Sequence, residues 1–81
     1  MLRDIVFEPA EAEADEFTVS YWKVDVGGEV RRGDELVVVE SVEDKTAFVV
    51  LAPYTGVLKE IATGEDETVT SGAVLGRVDA E

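Results

Sequence analysis

The sequence predicts an all-β domain, a flattened sandwich or barrel built from two similar halves. Three observations lead there. Short runs rich in β-branched and aromatic residues recur between Gly- or acid-bearing turns, no window carries a convincing helical stripe, and part of the chain repeats at an offset of 39 residues. With 81 residues, 46% of them hydrophobic, the chain reads as one domain spanning 1–81, too apolar for a disordered tail. A domain of this size buries only about 60% of its unfolded surface, so its core is thin. The chain has no Cys and no His, which excludes disulfide frameworks, zinc sites, Cys or His nucleophiles and haem attachment.

The first expected strand, Asp4–Glu8, is the apolar run Ile5-Val6-Phe7 between two acids. The stretch from Glu8 to Glu16 has helix-friendly Ala and Glu, but Pro9 starts it and nothing apolar anchors it, so an acidic surface loop is expected. Phe17–Val24 is a strand that Gly27-Gly28 closes. Glu29–Val30 is a short strand before the turn Arg32-Gly33-Asp34. Glu35–Val42 and Thr46–Ala52 are two long arms joined by a tight turn at Glu43–Lys45. Pro53–Thr55 turns the chain into Gly56–Ile61, Gly64–Asp66 into Thr68–Val69, and Ser71-Gly72 into Val74–Asp79. Trp22 is expected to pack on the core rather than serve as a binding platform.

The repeat maps Val30-x-x-Gly33-x-x-Leu36-x-x-Val39 onto Val69-x-x-Gly72-x-x-Leu75-x-x-Val78, and it extends to Glu40 with Asp79 and to Trp22 with Ile61. Each half alone is too short to bury its apolar face, so the two are expected to close over one core. Under that pairing the hairpin tip at Glu43–Lys45 lies at one end of the domain and the C-terminus at the other.

Seven Lys and Arg against nineteen Asp and Glu leave a net charge of −12. Such a surface repels nucleic acid and anionic membranes and favours basic partners. No apolar run approaches the ~20 residues of a membrane span. The N-terminus has neither a signal core nor a transit character, and a cytoplasmic bacterial or archaeal protein is the expectation. The acids are dispersed in loops and show no calcium-loop spacing, and the glycines no phosphate-binding spacing.

One place could carry chemistry. Asp44 is a good turn former, and Lys45 then projects from the tip among Glu40, Glu43 and Asp44. Read by itself, Lys45 is a solvated cation that relieves repulsion among those acids.

The wider pattern gives it another meaning. Trp22-x-Val24-x-x-Gly27-x-x-Val30-x-x-Gly33-Asp34-x-Leu36, then Asp44-Lys45-Thr46, Ala52-Pro53-x-x-Gly56-x-Leu58-x-x-Ile61 and Val69-x-x-Gly72-x-x-Leu75 together resemble the lipoyl domains of 2-oxo acid dehydrogenase complexes. Those belong with biotinyl domains and the glycine cleavage H protein in the biotin/lipoyl-attachment family. The resemblance implies two four-stranded antiparallel sheets with quasi two-fold symmetry. It also implies lipoate in amide linkage to Lys45, with Glu43, Asp44 and Thr46 flanking it for ligase recognition. Biotinyl domains place Met on both sides of their Lys; Asp44 and Thr46 stand there, and the single Met is Met1, which argues against biotin.

The chain departs from the family in one respect. Seven residues separate Lys45 from Ala52, as in the family, but the stretch from Gly33-Asp34 to Lys45 is two residues longer. Counted from Leu36, Glu43 falls where the modified Lys belongs. Either an insertion lengthens or bulges one arm and leaves Lys45 as the site, or the domain has lost it. A two-residue change keeps the in/out alternation of a strand. By the same resemblance the loop after the first strand, with Glu11, Glu13, Asp15 and Glu16, lies beside the tip and takes part in partner recognition.

The resemblance implies a swinging-arm carrier without catalytic residues of its own. Its partners would be a lipoate ligase or lipoyl transferase, a 2-oxo acid dehydrogenase (E1), an acyltransferase (E2) and dihydrolipoamide dehydrogenase (E3). The isolated domain is expected to be a monomer. An unmodified structural or interaction module is the alternative, and a place at the N-terminus of a longer acyltransferase is a third possibility.

Overall fold

The computed structural model of the chain describes residues 1–8, 16–43 and 45–80. Its eight strands are β1 (Leu2–Val6), β2 (Phe17–Trp22), β3 (Glu29–Val30), β4 (Glu35–Ser41), β5 (Ala47–Leu51), β6 (Gly56–Ile61), β7 (Thr68–Val69) and β8 (Val74–Ala80). They form two antiparallel four-stranded sheets, ordered β1-β8-β6-β3 and β5-β4-β2-β7. The molecule measures 36 × 22 × 16 Å, so the sandwich is flattened as expected.

The offset of 39 residues governs the backbone closely. It carries β2 onto β6, β3 onto β7 and β4 onto β8 with identical bounds. Irregularities obey it as well. Ser20 is the extra residue where β2 pairs with β4, and Lys59 is its counterpart where β6 pairs with β8. Leu36 bulges against β5, and Leu75 against β1. Left-handed backbone recurs at Gly33 (φ 95°) and Gly72 (φ 90°), where only a residue without a Cβ turns at no steric cost. The edge strands β1 and β5 are the remaining pair, related by an offset of 45 residues.

One core fills the space between the sheets. Phe17, Val19, Leu36, Val37, Val39, Leu58, Leu75 and Val78 are wholly buried, drawn from both halves as the repeat requires. Phe7, Phe17 and Phe48 meet edge to face with centroids 4.8, 5.8 and 6.3 Å apart, the geometry that aromatic quadrupoles favour. Each fully buried Phe contributes about 2–3 kcal/mol of transfer free energy, a large share in a thin core. Trp22 and Ile61 both pack on the core from half-buried positions, and the Trp22 indole N–H donates to the Thr63 carbonyl at 2.8 Å. Gly56 is needed for close approach: a Cβ there would stand 2.0 Å from the Asp79 carbonyl oxygen.

Strand limits differ from expectation in detail. β1 begins at Leu2 rather than Asp4, because the register Leu2↔Asp79 extends the β1–β8 ladder to the chain's start. Phe7 is beyond the strand but keeps its inward position through its N–H to the Ala73 carbonyl at 2.9 Å. β2 ends at Trp22, two residues before Val24.

Candidate functional site

Strands β4 and β5 support the tip. Their pairing runs through Val37↔Val50, Val38↔Val49, Val39↔Phe48 and Glu40↔Ala47. The Ser41 N–H then donates to the Thr46 carbonyl at 2.8 Å, and the Lys45 N–H donates to the Ser41 carbonyl at 3.0 Å. A loop at 42–45 thus closes over two short backbone hydrogen bonds. Lys45, its last residue, has φ 61°, a left-handed conformation rare for a side chain this long. No bulge interrupts the arms between Val37 and Ser41, and the Leu36 bulge has its twin at Leu75, so it belongs to the fold. The described arms between Val37 and Ser41 are therefore regular.

The quasi two-fold axis relates the tip to the chain ends. In the place of the Ser41–Thr46 bond, the Ala80 N–H donates to the Met1 carbonyl at 2.8 Å. The Met1 ammonium also pairs with Asp79 at 2.7 Å, which lowers the Asp79 carboxyl below its usual range.

Glu43, Lys45 and Thr46 are all exposed at the tip. Among the described residues Lys45 makes no ion pair; the other described pairings join Lys23 to Glu35 and Arg77 to Asp4 and Glu60. The hydrogen bond that Lys23 donates to Glu35 raises the Lys23 pKa, and those that Arg77 donates to Glu60 and Asp4 raise that of Arg77. Lys45 is thus exposed on a support held by backbone bonds.

Of the acidic loop, Glu16 is exposed and its carbonyl accepts the Val42 N–H at 3.1 Å, so the end of that loop is fastened to the tip. Glu11, Glu13, Asp15 and Asp44 lie outside the described residues. Two contributors carry little signal in the sequence. The backbone of Glu16 acts through its carbonyl, which any residue would supply. Ser41 is 2% exposed with its Oγ unpartnered; its alternation with Val37 and Val39 is the one pattern that marks it as inward-facing.

A β-sandwich with two-fold halves and a lysine on the hairpin tip opposite the chain ends defines the class of lipoyl and biotinyl domains. Comparison with known proteins agrees. The biotin/lipoyl family model, described as "Biotin-requiring enzyme", matches residues 6–78, and the chain belongs to that family. The lipoyl domain of the 2-oxoglutarate dehydrogenase complex of Azotobacter vinelandii superimposes with a TM-score of 0.74 at 31% identity, covering 98% of this chain and 100% of that one. Two curated relatives point to the lipoyl branch. The dihydrolipoyllysine-residue acetyltransferase component of the acetoin cleaving system of Pseudomonas putida is 40% identical over 60 residues, 74% of this chain. The dihydrolipoyllysine-residue succinyltransferase component of the 2-oxoglutarate dehydrogenase complex of A. vinelandii is 39% identical over 61 residues, 75% of this chain. The chain spans only 16% and 15% of these relatives' lengths.

Proposed function

We propose that the chain is a lipoyl carrier domain with Lys45 as the attachment residue. The observation that carries this reading is the exposed Lys45 amine at the end of a hydrogen-bonded tip in a chain of the biotin/lipoyl family. Attachment is an amide bond: the deprotonated Nζ attacks an activated lipoyl carboxyl, the C–N bond forms, and the activating group leaves. The loading enzyme takes the ammonium proton before the attack. When bound, lipoate would supply a disulfide able to take up two electrons and an acyl group.

The chain's own residues present that group. β4 and β5 hold the tip, Glu43 keeps its surroundings acidic, and Lys45 stands exposed in a left-handed backbone conformation. Partners would be a 2-oxo acid dehydrogenase that acylates, an acyltransferase that receives, and dihydrolipoamide dehydrogenase that reoxidises. The domain raises the effective concentration of a tethered substrate and makes weak, electrostatically steered encounters. A longer acyltransferase chain is the parent that both curated relatives suggest.

The position of Glu43, where the family's count places its Lys, favours a second reading: a module of the same fold that carries no group. Incubation with a lipoate ligase and lipoate, and separately with a biotin ligase and biotin, followed by intact mass, separates the readings. A lipoyl-sized increment is expected. Biotin instead would keep the carrier and change its chemistry. No increment, with a known lipoyl domain loaded alongside, would favour the module.

A further inference from the structure

The two outer faces of the sandwich differ in a way the fold does not require. On the β1-β8-β6-β3 sheet, Asp4, Arg77 and Glu60 lie side by side in the register Asp4↔Arg77↔Glu60, joined by ion pairs from Arg77 to both acids. The internal symmetry carries this row onto Val49, Val38 and Tyr21 of the other sheet, in the register Val49↔Val38↔Tyr21. Three charged residues on one face thus correspond to three residues without charge on the other. Tyr21 and Val49 are each 45% exposed with Val38 between them at 9%, and Leu51 beside Val49 is 52% exposed. The same backbone positions accept charges on the first sheet, so their apolar character on the second is not a demand of folding.

The row is bounded by charge. Glu40 lies between it and the tip, and the Lys23–Glu35 pair closes the far end. Around the edge strand β5 it continues into a groove of about 210 Å³ lined by Val49 with Val6, Phe7, Glu8, Phe48 and Val50. Val49 is four residues from Lys45, ~13 Å at ~3.3 Å per residue, inside the footprint of any enzyme that covers the tip. A second copy of this chain is a poor occupant, since it brings −12 against −12 onto a patch of few side chains.

We infer that the Tyr21–Val38–Val49 row is the docking surface for the enzyme that loads Lys45, an inference resting on the carrier reading above. That enzyme must choose Lys45 over other exposed lysines such as Lys59. Lys59 adjoins Glu60 in the charged row, whereas Lys45 shares a sheet with the apolar one. The matching surface presents apolar side chains to the row and basic ones to Glu40 and Glu8. Contact with the row distinguishes the two lysines without reading the residues beside either.

The test grafts the charged row onto the apolar face: Tyr21→Glu, Val38→Arg and Val49→Asp together, with Val49→Asp alone as a second variant should the triple exchange not fold. Loading by a lipoate ligase is followed against chain concentration, with circular dichroism melting as the check on folding and Glu60→Thr as the control on the opposite face. KM should rise about tenfold or more, as loss of a buried apolar anchor gives, with kcat retained and the control unchanged. An unchanged KM in a folded variant overturns the inference alone. A loss confined to kcat would assign the effect to the tip and overturn it too. A wild type that sediments as a dimer while the variant is monomeric would give the row to a second copy. Failure of the ligase to load the wild type, while it loads a known lipoyl domain, overturns the carrier reading instead.

Discussion

The Val42 N–H donates to the Glu16 carbonyl at 3.1 Å, fastening the start of β2 to the tip that carries Lys45. The tip is thereby held from two sides, by its own hairpin and by the chain that returns from the acidic loop. Val42→Pro removes this donor while leaving a backbone angle that a turn accepts. It should cost about 1 kcal/mol and lower Tm by roughly 4–8 °C in a domain this small. Thermal melting checks this, and an unchanged Tm would mean the bond contributes nothing.

Ser41 sits directly beneath the tip with its Oγ buried and unpartnered. A buried hydroxyl without a hydrogen bond is a cost, so Ser41→Ala should leave stability unchanged or raise it by up to about 1 kcal/mol. Urea unfolding measures this. A loss larger than that would show that the hydroxyl has a partner in solution.

Phe17 joins the aromatic cluster to the tip end through its pairing with Ser41. Phe17→Ala should cost about 3–5 kcal/mol out of the roughly 5–15 available to a small domain. The same denaturation series reads it, and a cost below ~1 kcal/mol would contradict the placement of the core.

Much of this architecture is legible in the sequence, and particular residues show why. The matches of Val30 with Val69 and Gly33 with Gly72 disclose the two halves because core side chains and left-handed turns restrict residue choice. The bulges at Leu36 and Leu75 are invisible there, since a bulge depends on the partner strand's register. The start of β1 is not legible for a related reason: Leu2 and Arg3 have no strong strand signature and are ordered by pairing with β8. The contrast between Glu60–Arg77–Asp4 and Tyr21–Val38–Val49 lies in the same repeat, yet it concerns outward positions, where symmetry of the backbone constrains nothing. Lys45 is legible as a tip residue.

Charge sets the expected response to salt and pH. With a net charge of −12, repulsion among the acids should relax as salt is added or as pH falls towards ~5, where carboxylates begin to protonate. Tm should rise in both cases. Below that range a contrary effect enters. The Asp79 carboxyl is lowered by the Met1 ammonium from its ordinary 3.8, so its stabilising pairing is present above that value and is lost as pH falls through the lower, folded one. Both partners are exposed, so the loss is small. A Tm that falls when salt is raised from low to moderate concentration would contradict this account.

The most direct test of the central claim is peptide mapping of the chain after loading by a lipoate ligase, with Lys45→Arg treated in parallel. The account predicts a lipoyl-sized increment on the peptide containing Lys45 and none on those containing Lys23 or Lys59, with the Lys45→Arg chain unloaded. An increment on another lysine, or equal loading of Lys45→Arg, would contradict it.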